Sequence, residues 1–231
     1  MRLDRLVGIW ANTGKKRTRE LFEKGLVRWN GMVVDDAAME VGPFDRVELG
    51  DDVIQGREPR YVMLNKPAGI VSATSDAEHI TVIDVIDEDW AYELHLAGRL
   101  DRFTTGLVVL TNDSSYSEWL TNPYSRIGKE YLVEVDGPIG EEVVTAFKEG
   151  IYFEKEKMTT TSARVELLGV SRCRLTIFEG KHHQVKRMFA RFDLKVTSLH
   201  REAIGELRLP ADLEEGEWRE FRLAGHGRGG L

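Results

Sequence analysis

Residues 96–113 read LAGRLDRFTTGLVVLTND. The unbroken apolar run Leu107 to Leu110 predicts a buried strand. Just before it, Gly106 supplies a conformation that other residues resist. Just after it, Thr111, Asn112, Asp113 and Ser114 offer a choice of helix N-caps. One carboxylate, Asp101, stands ahead of the strand between Arg99 and Arg102, with the hydroxyls of Thr104 and Thr105 following. The picture is a single acid held at the lip of a sheet. An aspartate in a turn usually caps a helix or meets water, and one carboxylate alone carries no motif specificity.

At 231 residues and 42% hydrophobic composition, the chain has room for a small module, a larger one and a real core. A net charge of -7 argues against a uniformly basic nucleic-acid binder. The charge is uneven, however. Residues 1–34 carry eight Lys or Arg against three acids, whereas 35–59 carry eight acids against two Arg. Between 178 and 201 six Lys or Arg face two acids, and His182, His183 and His200 add to that positive patch. The single cysteine, Cys173, excludes an internal disulfide and a cysteine metal cluster; alternating with Leu175 and Ile177, it reads as a buried strand residue. MRLDRLVGIW lacks the apolar core of a signal peptide, and no run approaches membrane-spanning length, so a cytoplasmic protein is expected.

Residues 1 to about 57 read as a module of two short helices and a few strands. Leu3, Leu6 and Val7 form one apolar stripe; Leu21, Phe22 and Leu26 form the next. Beside the second stripe stand Lys15, Lys16, Arg17 and Arg19, ordinarily a solvated face. Gly8 to Lys15 comes near a phosphate loop but has one residue too many, Lys16 in place of Ser or Thr, and no preceding strand. DDVIQGREPR, residues 51–60, has turn and charge composition without periodicity, which puts a linker at about Gln55 to Arg60. Tyr61 to Asn65 is a strand, and NKPAGIVSAT a turn into another. The segment Thr74 to Asp89 reads as polar and then helical, with Val82, Ile83, Val85 and Ile86 apolar. His79 and His95 have no partner at metal-ligand spacing.

Beyond the central strand, Ser115 to Thr121 predicts a short helix stopped at Asn122-Pro123. In KEYLVEVDGP, Tyr131, Val133 and Val135 share one strand face. Gly140 to Lys148 is an amphipathic helix ended by Gly150. Strands follow at about Ala163 to Leu168 and Arg172 to Glu179. In EGKHHQVKRMFARF, Val185, Met188, Phe189 and Phe192 recur at helical spacing, with Arg187 facing elsewhere and Lys186 on the border of the apolar stripe. A lysine there needs a route to water or an anionic partner. The Gly-rich tail 225–231 is expected to be disordered.

GRLDRFTTGL resembles the signature of the pseudouridine synthases, in the branch that includes the small-subunit ribosomal enzyme RsuA. NKPAG and HQVKRM resemble further motifs of that family, and LHREAIGELRLP its closing strands. RLDRLV, the basic second helix, a strand, NG and VV look like the alpha-L RNA-binding module, although GKKRTREL stands where that module commonly has a Ser-Arg pair. The resemblance implies an α+β chain: a small alpha-L type RNA-binding domain at 1–57, a linker at 58–60, and a larger mixed, mainly antiparallel-sheet catalytic domain at 61–224. It further implies a catalytic Asp101, a Lys186 that pairs with it, and a Tyr131 that packs on the target base while serving as a core aromatic. RNA contacts are expected from Lys15, Lys16, Arg17, Arg19, Arg99, Arg102, Lys181 and Arg187. Lys66 is a positioning candidate only.

The implied reaction breaks the N-glycosidic bond of a uridine, turns the uracil and rejoins it through a ring carbon, with the uridine swung out of its stack. Nothing is oxidised, so neither metal nor organic cofactor is expected. Asp101 acts either as nucleophile or as base. The overall length, the LHLAGRLD spacing and ATSDAEHITVID look more like the small-subunit enzymes than the large-subunit ones. The expected partner is therefore small-subunit ribosomal RNA, naked or in an assembling particle, bound by a monomer. The readings set against this are a large-subunit enzyme and a non-catalytic RNA-binding or ribosome-assembly protein; a glycoside hydrolase would want a second carboxylate across the sugar.

Overall fold

Successive strand side chains point to opposite faces, so a run such as Leu107 to Leu110 needs apolar cover on both. The computed structural model, which describes residues 1–223, shows that cover. Val108 and Leu110 enter one buried cluster, and Leu107 and Val109 enter another on the opposite face. The expected tail at 225–231 lies outside the described residues.

The chain divides into two compact units, Met1–Pro59 and Arg60 onward. The first unit begins with α1 (Leu3–Trp10) and α2 (Lys15–Glu23), followed by β1 (Val27–Trp29), β2 (Met32–Val33), β3 (Val47–Leu49) and β4 (Asp52–Gln55). Its antiparallel sheet runs in the order β2-β1-β3-β4. Asn30 and Gly31, both at positive φ, make the two-residue turn that pairs Trp29 with Met32. Leu3, Val7, Phe22, Val27, Val41 and Val47 close the core. Two expectations fail here. Leu26 is not part of the apolar stripe: α2 ends at Glu23, Gly25 turns the chain at φ +65°, and Leu26 is left exposed. Residues 52–55 are not turn-like, because β4 pairs with β3 along that segment.

The second unit contains β5 (Tyr61–Lys66), β6 (His95–Leu96), β7 (Thr105–Thr111), α3 (Ser114–Thr121), β8 (Lys129–Val135), α4 (Glu141–Glu149), β9 (Tyr152–Phe153) and β10 (Met158–Thr159). Then come β11 (Arg164–Leu167), β12 (Arg172–Ile177), α5 (Gln184–Ala190), β13 (Val196–Ile204), β14 (Leu207–Arg208) and β15 (Trp218–Glu220). Its large mixed sheet follows the path β11-β12-β8-β13-β7-β5-β15, with β14 paired to β13 and β6 to β7. β13 runs parallel to β7, while the other pairings along the path are antiparallel.

Helices α4 and α5 cover one face of this sheet through Val143, Phe147, Val185, Met188 and Phe189. The Phe147 and Phe189 rings meet edge-on at 4.9 Å. Leu120 of α3 and Leu213 cover the other face. Among the four cap candidates it is Asp113 that starts α3, accepting from the backbone N–H groups of Ser115 and Tyr116. Phe192, expected on the helix of HQVKRM, lies beyond α5 and is only half-buried, packing near Phe147.

The expected helix over 82–86 is absent. Val82 and Ile86 are buried in successive turns instead. The β-branched run Thr81-Val82-Ile83 resists helix, and the Asp84 carboxylate accepts from the Thr81 N–H and hydroxyl at 2.8 and 2.9 Å, a local bond that competes with helix.

Candidate active site

Asp101 lies in the turn leading into β7, and that turn is braced from inside. The Thr104 N–H donates to the Asp101 carbonyl at 3.0 Å, and the Leu100 N–H donates to the Ser72 hydroxyl at 3.1 Å. Below it Lys66, at the end of β5, is wholly buried. Its ammonium donates to the carbonyls of Pro67, Arg102 and Thr104 at 2.9, 3.0 and 3.0 Å. Burial pushes the Lys66 amine down to about 8, against the pull of nearby Asp101. Gly69 completes the brace, its N–H donating to the Arg102 carbonyl and its carbonyl accepting from Arg102 Nε, both at 2.9 Å. The NKPAG segment and the Asp101 turn therefore hold each other.

The Asp101 carboxylate is half-buried and faces two bases on or beside α5. Lys186 Nζ lies 3.1 Å from Oδ2, and His183 Nε2 lies 3.4 Å from Oδ1. His183 sits at the N-cap of α5 at φ 52°, an uncommon conformation for a residue with a side chain, and stacks on His182. The apolar stripe of α5 is buried at Val185, Met188 and Phe189, which leaves Lys186 at the rim with its charge toward the carboxylate.

Tyr131 comes from β8, its ring buried with Val133 and Val135. Arg201 of β13 is buried beside it. Its Nε donates to the Leu107 carbonyl at 2.7 Å, and its Nη1 lies 3.5 Å from the Tyr131 hydroxyl. Arg201 is also the register partner of Gly106 in the parallel pairing of β13 with β7. A β-carbon at Gly106, which has φ +98°, would overlap the Arg201 backbone.

Asp101, Tyr131, Lys186 and Arg201 line one cleft of about 190 Å³. Drug-sized ligand pockets run from roughly 300 Å³ upward, so this space suits a single ring. Arg99, Lys129 and Lys181 add positive charge, and among the described residues Asp101 is the only carboxylate in the lining. Burial, then the nearby Arg201, holds the Lys129 amine below its ordinary range. Apolar walls come from Leu100, Ile177, Val185 and Leu199. Such a cleft favours an anionic substrate and can hold a flat apolar face.

The predicted site residues do not all meet here. Arg99 and Lys181 line the cleft, although Lys181 also pairs with Glu179 at 3.2 Å. Arg102 is exposed at its margin and donates to His79 Nε2, whose Nδ1 contacts Asp76. Arg187 points away, bonded to Glu156 at 2.7 Å and lying 3.8 Å over the Phe153 ring; Arg187 holds the Glu156 carboxyl at about 2. Lys15, Lys16, Arg17 and Arg19 are exposed on α2 in the other unit, with Arg19 bonded to Glu23. Among the described residues no group of three or more His, Cys, Asp or Glu is placed to hold a metal ion, and no helix is long and apolar enough to cross a membrane.

Sequence reasoning passed over His183 and Arg201. The signal for Arg201 was present: it falls between Leu199 and Ala203 at strand period, on the buried side. In the sequence His183 reads only as part of a positive patch, although it stands three residues before Lys186.

The family model of RNA pseudouridylate synthases matches residues 60–191. A ribosomal small subunit pseudouridine synthase A of Pseudomonas aeruginosa is 46% identical over 220 residues, covering 95% of this chain and 96% of the relative. The protein of the same name from Escherichia coli K12 is 40% identical, covering 95% of both chains. A crystal structure described as a pseudouridylate synthase superposes with a TM-score of 0.69 at 37% identity, covering 96% of each chain.

Proposed function

The chain belongs to the RNA pseudouridylate synthases, and from that premise we propose that it isomerises one uridine of small-subunit ribosomal RNA with Asp101 as its catalytic residue. The observation that carries the assignment of the site is the 3.1 Å contact between Asp101 and Lys186 in a cleft that also holds Arg99, Lys129, Lys181, Arg201 and the Tyr131 ring between apolar walls. Reaction at a ribose needs a carboxylate beside the sugar, and the Lys186 ammonium supplies the countercharge next to it. Tyr131 and the apolar walls receive the base once it leaves the stack, a step costing a few kcal/mol that phosphate contacts offset. In the reaction the C1′–N1 bond breaks, uracil turns, and a C1′–C5 bond forms; the C5 proton is lost and N1 gains one. Asp101 serves as nucleophile at C1′ or as base at the ribose.

Residues 1–57 act in this reading as an alpha-L type RNA-binding module, 58–60 as linker, and 61–224 as the catalytic domain. Lys15, Lys16, Arg17 and Arg19 supply phosphate contacts in the first; Arg99, Arg102 and Lys181 supply them at the site. The exposure of the α2 cations supports the first group, and the cleft lining supports Arg99 and Lys181.

Asp101→Asn tests the proposal on transcripts of small-subunit ribosomal RNA. Isomerisation is expected to fall below detection while RNA affinity stays within about twofold, since one oxygen is exchanged for an amide at a side chain that does not bind phosphate. Retained turnover would remove Asp101 from its role. Mapping pseudouridine in both ribosomal RNAs of cells lacking the protein tests the address: a site lost from the large subunit instead would overturn the small-subunit assignment.

A further inference from the structure

Two buried polar atoms, Nη2 of Arg201 and the Thr104 hydroxyl, have no hydrogen-bond partner among the described residues. Both residues are 2% exposed, and both line the cleft that holds Asp101 and Tyr131. An unpaired buried donor or acceptor costs about 1–3 kcal/mol, so two of them on residues that line one cavity mark a place where a ligand completes the bonding. Resting on the assignment of this cleft as the active site, we propose that Arg201 and Thr104 are the base-reading pair. Arg201 Nη2 donates to a uracil carbonyl, and the Thr104 hydroxyl accepts from the adjacent N3–H.

The chemistry of uracil fits that pair. Its imide edge presents acceptor, donor, acceptor: O2, N3–H and O4. Cytosine presents an acceptor at N3 and an amino group in place of O4, so a guanidinium donor beside a hydroxyl acceptor discriminates against it. The turn of the base fits as well. A half-rotation about the line through N3 and C6 exchanges N1 with C5 and O2 with O4, and leaves N3 in place. A fixed donor and a fixed acceptor therefore serve the base equally before and after it turns.

Arg201 has a second consequence for the bond that breaks. When C1′–N1 cleaves, its electron pair stays with uracil, and the charge spreads onto the carbonyl oxygens. A permanently charged guanidinium, held by the Leu107 carbonyl and shielded from water, stabilises that anion where it forms. The same bond to Leu107 and the contact with the Tyr131 hydroxyl keep Arg201 from reorienting.

The test uses the full chain and ligated small-subunit ribosomal RNA carrying uridine, 2-thiouridine or 4-thiouridine at the modified position. Arg201→Lys and Thr104→Val are each expected to slow single-turnover conversion of uridine by about 10- to 100-fold, with RNA affinity within twofold. Thr104→Ser is expected to recover most of the rate. Sulfur accepts hydrogen bonds poorly, so at least one thio substrate should slow the parent, and Arg201→Lys should be less sensitive to that same substitution. Variants that melt like the parent and convert uridine at its rate overturn the proposal, as does an unchanged sulfur effect in Arg201→Lys. If Arg201→Lys loses its fold, Thr104→Val decides alone, and a parent-like rate in it overturns the pairing. A parent that converts no uridine in this RNA refutes the substrate reading instead, which separates the two failures.

Discussion

A lysine with no exposed surface is the least expected residue in this chain, and Lys66 owes its place to three carbonyls that converge on its ammonium. Its amine is pushed down to about 8 by burial, from an ordinary 10.5. The folded chain thus holds this proton less tightly than the unfolded chain does. Between pH 8 and 10.5 the unfolded state binds more protons, so the contribution of Lys66 to stability rises with pH across that window and is lowest below it. Lys66→Met removes the titration. The difference in unfolding free energy between parent and Lys66→Met, measured by denaturant titration at a series of pH values, should shift in favour of the parent by at most about 3 kcal/mol from pH 8 to 10.5. A pH-independent difference would mean that the three carbonyls hold the proton as firmly as water does. Turnover should fall in Lys66→Met at any pH, because two of those carbonyls belong to Arg102 and Thr104 of the Asp101 turn.

Strand β7 carries that turn and meets β13 in parallel, and Gly106 is where the two backbones crowd. Gly106→Ala forces a β-carbon onto the Arg201 carbonyl at a φ that L residues resist. The pairing must open, at a cost of about 3 kcal/mol or more, seen as a lower denaturant midpoint at unchanged slope. Much of this element was legible beforehand: an apolar run preceded by glycine and followed by caps reads as a strand entering a helix, and Asp113 does cap α3. Periodicity likewise marked α4 and α5, since their cores lie on one stripe. Reading failed where the deciding partner is remote or where a side chain competes with the backbone. The turns at 81–86 follow from the Asp84 carboxylate binding Thr81, and β4 exists because β3 lies beside it. Arg187, expected to meet phosphate, is bonded to Glu156, 31 residues away, a partner that its local sequence does not announce. Arg201 sat in view at strand period, but an arginine in a core is discounted unless its acceptors are known, and its acceptor is on β7.

At the scale of the whole molecule, a net charge of -7 coexists with two concentrations of cations, residues 1–34 and the lining of the cleft. A polyanion is attracted locally while the molecule as a whole repels nonspecific contact with nucleic acid, so affinity should depend on a few particular phosphate contacts rather than on bulk charge. On the proposed reading Lys16 and Arg17, both exposed on α2, make two of them. The double variant Lys16→Ala with Arg17→Ala should weaken binding to small-subunit ribosomal RNA and lower the steepness of the log affinity against log salt plot by about one to two. Arg187→Ala is the contrasting case. Its guanidinium is already neutralised by Glu156, so no counterion is released from RNA on its account and the slope should stay at the parent value. Filter binding from low to moderate salt separates these outcomes. A slope unchanged in the α2 variant but reduced in Arg187→Ala would mean that RNA displaces Glu156 and runs along α5 instead of α2, with the phosphate path redrawn accordingly.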